Sequence, residues 1–122
     1  MILADTSVWI DHFRNGDAEF AGRLEAGEVL SHPFVIGELA MGNLSDRAAL
    51  LRELGRLPAA TVARPDEVLA LISREKLHGL GLGYVDACLL AATRLSPDTR
   101  LWTRDRRLAE VAARLGLAFS LA

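Results

Sequence analysis

An α/β domain built on a mainly parallel sheet is the fold class that the sequence predicts, and three observations predict it. Short apolar runs of β-like composition alternate with longer segments whose apolar residues recur at the 3.6-residue helical period. The 122 residues are 51% hydrophobic and 25% charged, a balance that suits one globular domain with its own core. The lone Cys88 excludes an internal disulfide framework, and no linker, repeat or low-complexity segment breaks the alternation.

The elements follow in chain order. Residues 2–4 form a buried strand, and Thr6 or Ser7 caps a helix through about Phe13 that Asn15 and Gly16 end. Residues 17–26 form a second helix and residues 29–31 a brief strand. Pro33, in a first helical turn, opens a helix carrying Phe34, Val35, Glu38, Leu39 and Met41, which Gly42 and Asn43 close. Ser45 caps a helix with Leu50, Leu51 and Leu54 on one face, and Gly55 stops it before a weak strand at 60–62. Pro65 opens the longest helix, whose Val68, Leu69, Ile72 and Leu77 keep helical spacing as far as His78. The glycine-punctuated stretch 79–83 follows no strand, so it reads as a mobile connector and not as a phosphate cradle. Residues 84–95 form an apolar helix with Asp86 in its first turn, where the helix dipole favours an acid. Residues 99–103 form a strand, Asp105 caps a helix through Leu115, and Gly116 turns the chain into a last short strand at 117–119.

The first five residues carry no basic segment before the apolar run, and no apolar run reaches the roughly 18 residues of a spanning helix, so the chain is expected in the cytoplasm. The formal charge of −2 excludes nothing about nucleic acid, although Lys76 is the only lysine and arginine supplies the rest of the basic charge.

In an open parallel sheet, chemistry gathers beyond the carboxyl ends of the strands. Asp5 directly follows the first strand and Asp105 lies two residues after Thr103, which places both on one rim. Glu38, between Ile36 and Leu39, and Asp86, beside Val85 and the apolar stretch 87–92, read as acids on the buried sides of their helices. A lone carboxylate there is neutralised unless it meets a cation or several donors. Each acid also has a plainer reading: Asp5 and Asp105 as helix caps, Asp86 as a first-turn acid. Glu38 is the least explained by local rules. The other acids, Asp11 and Asp17 among them, lie in polar settings that solvated faces explain.

Four carboxylates on one rim repel, and a divalent cation relieves the repulsion. The all-oxygen set suits Mg²⁺, with Mn²⁺ able to substitute; Zn²⁺ fits poorly, because Cys88, His12, His32 and His78 have no zinc-ligand spacing. Cys88 reads as a core thiol, and Trp9 and Trp102 as core aromatics. Arg104, Arg106 and Arg107 flank Asp105 at a helix start, where cations oppose the dipole and suit a bound polyanion such as RNA.

At these residues the sequence resembles the PIN-domain nucleases, and among them the VapC-type toxins of bacterial type II toxin–antitoxin modules. The segment 2–13, with Asp5, Thr6, Ser7, Trp9 and Asp11, resembles their first motif; Ile36-Gly37-Glu38-Leu39, the run from Val85 and Asp86 to Ala92, and Leu101-Trp102-Thr103-Arg104-Asp105 resemble the later ones. The resemblance spans residues 2–119, one domain over the whole chain. It implies an α/β/α sandwich with a five-stranded parallel sheet and Mg²⁺-dependent cleavage of RNA. It makes Asp5, Glu38, Asp86 and Asp105 the catalytic and metal-holding acids, with Ser7 and Thr103 as hydroxyl support. It also implies partners: RNA, a VapB-type antitoxin and a second copy in a homodimer. Arg106 and Arg107 stand where members often carry another acid. The expected reaction is hydrolysis by a metal-activated water, leaving a 5′ phosphate and a 3′ hydroxyl. A phosphotransfer receiver domain is excluded, because no acid pair follows the first strand and Lys76 lies in a helical segment. The alternative is a catalytically silent PIN-like module that binds RNA or protein.

Overall fold

A computed structural model of the chain describes residues 1–121. Three short parallel strands, β1 (Ile2–Ala4), β2 (Val29–Leu30) and β3 (Arg100–Trp102), form the sheet in the order β2-β1-β3. Ile2 pairs with Val29 on one side and Arg100 on the other, and Ala4 pairs with Trp102. Strand residues that are buried on both faces need no polar alternation, and Ile2, Leu3 and Ala4 are all inside.

The five-stranded expectation is corrected to three strands with a single parallel bridge at each edge, Ser31 to Ala59 and Leu101 to Ala118. The Ala60 amide closes the first bridge on Ser31 O at 2.8 Å, and the ladder ends there because the Thr61 amide donates to Ser96 Oγ at 2.9 Å instead of to a strand. At the other edge the Phe119 amide closes the bridge on Leu101 O at 2.9 Å, and its ring lies tilted against Trp102 with centroids 4.8 Å apart.

Seven helices surround the sheet among the described residues: α1 (Thr6–Asn15), α2 (Ala18–Glu25), α3 (Pro33–Met41), α4 (Arg47–Arg56), α5 (Pro65–Arg74), α6 (Tyr84–Leu95) and α7 (Arg106–Arg114). α3 packs on α1 and α4, while α5 packs on α6 and α6 on β3. α6 matches the expected helix at both ends. Its residues 87–93 are all buried, and the Thr93 hydroxyl is satisfied by Leu89 O at 2.7 Å.

Several boundaries differ from expectation. Asp5, and not Thr6 or Ser7, caps α1; Asp46, and not Ser45, precedes α4, in a left-handed conformation with φ 49°. Gly55 lies inside α4, which runs on to Arg56. α5 ends at Arg74 and not at His78, so the 12-residue α6 is the longest helix. Leu77 is nonetheless buried, which is why its spacing reads as helical. Lys76, at φ 54°, turns the chain, and the Leu77 amide returns to Ile72 O at 2.9 Å in a Schellman closure. Among the described residues no helix is long and apolar enough to cross a membrane.

Candidate active site

The carboxyl rim of the sheet carries the site. Asp5 keeps its backbone in the ladder, its amide donating to Trp102 O at 3.0 Å, so its side chain emerges where β1 gives way to α1. The carboxylate is buried and receives three hydrogen bonds. The Ser7 amide reaches Oδ1 at 2.8 Å, the Ser7 hydroxyl also donates to Oδ1, and Thr103 Oγ1 donates to Oδ2 at 2.5 Å. Each hydroxyl has a single proton, and both are spent on Asp5. The same hydroxyl oxygens accept from the next loop: Ser7 Oγ from the Arg104 amide at 2.9 Å, Thr103 Oγ1 from the Asp105 amide at 3.0 Å. The Ser7 and Thr103 hydroxyls, expected as supports, thus both hold the Asp5 carboxylate in place.

The other three acids have one oxygen engaged each. Glu38 Oε1 accepts from Thr6 Oγ1 at 2.6 Å, Asp86 Oδ2 from the Gly83 amide at 3.0 Å, and Asp105 Oδ1 from the Arg107 and Leu108 amides at 2.9 and 3.2 Å. Glu38 Oε2, Asp86 Oδ1 and Asp105 Oδ2 have no hydrogen bond among the described residues. Asp5 and Asp105 therefore cap helices, and Asp86 braces one, while Asp86 and Asp105 each keep one carboxylate oxygen without a hydrogen bond among the described residues. Glu38 departs from expectation, since it is exposed and held from outside by Thr6, whereas Asp86 is half-buried.

Electrostatics ties the four together. The Asp86 carboxyl is held above the ordinary carboxylate range, first by burial and then by the negative charges of Asp105, Asp5 and Glu38, against the opposing pull of the Gly83 amide. Among the described residues no three of these side chains close into a metal-holding group, so an all-protein cage is absent. The donor chemistry instead fits a hard cation that keeps much of its water and takes one or two carboxylates directly, as Mg²⁺ does.

Arg104, Arg106 and Arg107 fall in three different settings. Arg104 Nη2 pairs with Asp17 Oδ2 at 2.6 Å and Asp11 Oδ2 at 3.3 Å, and its guanidinium lies 5.3 Å from the Trp102 ring centre. Arg106 reaches out to Glu110 at 3.5 Å. Arg107 lies over the backbone of Gly81, where any Cβ would collide with its guanidinium. Asp11 and Asp17 are consequently partners of Arg104 and not merely solvated acids, and Asp17 also caps α2 through Phe20 N at 3.0 Å. Thr6 and these two acids escape sequence reasoning, because contacts across the chain and not local pattern give them their roles, whereas the Gly83 amide meets Asp86 locally, three residues on at the start of α6. Cys88 is a core thiol as expected, its proton held more firmly by burial, and Trp9 packs edge-on against Phe20 at 4.7 Å.

A family model described as the PIN domain matches residues 2–114, spanning β1 to the end of α7. The chain belongs to the PIN-domain family. Curated relatives of this PIN domain carry the name Ribonuclease VapC32, one from Mycobacterium tuberculosis strain CDC 1551 / Oshkosh and one from strain ATCC 25618 / H37Rv. Each is 47% identical over 120 residues, covering 98% of this chain and 97% of the relative. The matched span of this PIN domain contains every residue of the carboxylate rim, from Asp5 to Asp105.

Proposed function

We propose that this PIN domain is a Mg²⁺-dependent endoribonuclease and the toxin half of a toxin–antitoxin pair. One observation carries the reading: three of the four carboxylates each keep an oxygen without a hydrogen bond among the described residues, and the Asp86 carboxyl is held above its ordinary range by burial first and then by the charges of Asp105, Asp5 and Glu38. Such an arrangement is poorly satisfied by protein alone and well satisfied by a divalent cation. The relatives named as ribonucleases, similar over nearly their whole length, supply the substrate class.

Asp5 is the direct ligand in this reading, because three hydrogen bonds fix its orientation. Glu38, Asp86 and Asp105 hold the waters around the cation, or a second ion. When bound, Mg²⁺ supplies charge neutralisation at the phosphoryl oxygens and raises the acidity of a water. The protein contributes the orientation: the Ser7 and Thr103 protons hold Asp5, and the Gly83 amide holds Asp86 by Oδ2 alone. In-line attack of water on phosphorus breaks the bond to the 3′ oxygen. The products are a 5′ phosphate and a free 3′ hydroxyl.

The antitoxin reading follows from charge. The formal charge of −2 becomes +2 without the four rim acids, so the rim is a negative well in a slightly basic protein. A groove of about 650 Å³ lined by Ile10, Phe13, Leu39 and Leu50, with Glu38, Asp46 and Glu53 among its walls, runs up to that well. It suits an apolar, basic segment that orders on contact and places an arginine among the acids. Trp9 is core and is not among the walls of this groove. A homodimer belongs to the same proposal, with sedimentation as its check. Incubating the purified chain with RNA in EDTA, then restoring Mg²⁺, tests the enzymatic reading: cleavage that is absent in EDTA and returns with the ion supports it. An intact RNA with Mg²⁺ present favours the silent binding module.

A further inference from the structure

Arg104 sits between two rim residues, Thr103 and Asp105, and is tied at both ends. Its amide donates to Ser7 Oγ, the oxygen whose proton goes to Asp5. Its guanidinium is tied to Asp17 and Asp11 and lies over the ring of buried Trp102 at the end of β3. Asp17 is itself fixed, with its side chain 18% exposed and its second oxygen capping α2. The anchor therefore runs from the start of α2, through Arg104, to the loop whose hydroxyl and amide groups orient Asp5 and Asp105.

Charge argues against the other role open to an arginine beside a nuclease site. Arg104 with Asp11 and Asp17 sums to −1, so a phosphate approaching this guanidinium meets two carboxylates that already offset its charge. We propose that Arg104 is a positioning residue, pinned to Asp17 and Asp11 so that Ser7 and Thr103 keep their protons on Asp5, and that it makes no contact with RNA phosphate. Only the metal-binding arm of the test rests on the nuclease reading.

Asp17→Asn separates the two roles by sign. The amide oxygen still caps α2 through the Phe20 amide while the charge facing Arg104 is lost. The full chain, Asp17→Asn, Arg104→Ala and the double variant are compared, with circular dichroism confirming that each is folded. Mn²⁺ binding is read by electron paramagnetic resonance, exchange of the Arg104 and Asp105 amides by NMR, and binding of an oligouridylate by anisotropy in EDTA across a salt series. The expected result is about 10-fold weaker Mn²⁺ binding in each single variant, as for other supports of metal ligands, with no further loss in the double variant. In Asp17→Asn both amides exchange faster, and in Arg104→Ala the Asp105 amide does. Oligouridylate affinity and its salt slope stay as in the wild type. Unaltered exchange or unaltered Mn²⁺ affinity in Asp17→Asn overturns the proposal. So does tighter oligouridylate binding by Asp17→Asn, or a salt slope lowered by about one in Arg104→Ala, which are the marks of a phosphate contact. If the wild type binds no Mn²⁺, the metal-dependent reading fails by itself, and the exchange rates alone decide the role of Arg104.

Discussion

At Asp86, burial and three like-charged neighbours oppose ionisation while the Gly83 amide favours it, and the carboxyl ends above its ordinary range. The folded chain thus holds this proton more tightly than the unfolded chain. The stability linked to Asp86 is full below the ordinary carboxylate value and is lost as pH rises through the folded value. Asp86→Asn keeps the Gly83 hydrogen bond and removes the charge, so in EDTA at neutral pH it should melt higher than the wild type. Its RNA cleavage at saturating Mg²⁺ should fall by more than about 100-fold, as for loss of an essential electrostatic group. A melting temperature at or below the wild-type value would contradict the repulsion. Asp5 with Ser7 and Thr103 was legible in the sequence, because residues that follow strand ends fall on one rim whatever their separation along the chain. The exposure of Glu38, a candidate acid, was not legible, since Ile36 and Leu39 beside it give no hint that Thr6 holds it. Arg104 and Asp17 lie 87 residues apart, beyond any local pattern.

Helices were more legible than strands because a helix declares itself by period and cap within ten residues or so, whereas a strand is defined by its neighbour. α6 and the Asp105 cap of α7 fall where pattern places them. The edge segments carry the right apolar residues, yet each is held by a single bridge, the Thr61 amide going to Ser96 Oγ at one edge and the Phe119 amide closing the Leu101 bridge at the other. The stretch 79–83 is more than a mobile connector, since its last amide orients Asp86 and Gly81, at φ 82°, gives Arg107 its resting place. Gly81→Ala meets both a left-handed backbone and a collision with Arg107, and should cost about 1–3 kcal/mol in chemical denaturation. An unchanged midpoint would show that the loop yields freely. α3 carries a second pH response. His32 caps it, with Nδ1 accepting from the Phe34 amide at 3.1 Å, while Nε2 is buried without a partner among the described residues and burial holds the imidazole below its ordinary value of 6.5. The unfolded chain therefore takes up this proton first as pH falls. Stability linked to His32 is full above 6.5 and is lost as pH drops from there towards the folded value. Urea midpoints at pH 7.5 and 5.5, compared with those of His32→Asn, should show a smaller pH response in the variant; an equal response would place the effect elsewhere.

For the molecule as a whole, the proposed function has cation, RNA and antitoxin compete for one rim, where the four acids lie beside an apolar groove. Inhibition by a segment that inserts an arginine among Asp5, Glu38, Asp86 and Asp105 should weaken as Mg²⁺ is raised, and again when that arginine becomes alanine. Kinetics with a co-encoded partner at several Mg²⁺ concentrations would show it, and inhibition indifferent to Mg²⁺ would place the partner away from the acids. The α/β class and the parallel sheet were legible at this scale, whereas the number of strands was not, because edge pairing is decided by a few hydrogen bonds across the chain. The most direct test of the central claim is the chemistry of the cut ends, read by mass spectrometry after wild-type protein and Asp86→Asn meet the same RNA in Mg²⁺ and in EDTA. The account predicts 5′ phosphate and 3′ hydroxyl ends from the wild type in Mg²⁺ alone. Cleavage that persists in EDTA or in Asp86→Asn, or that leaves a 2′,3′-cyclic phosphate, would contradict it.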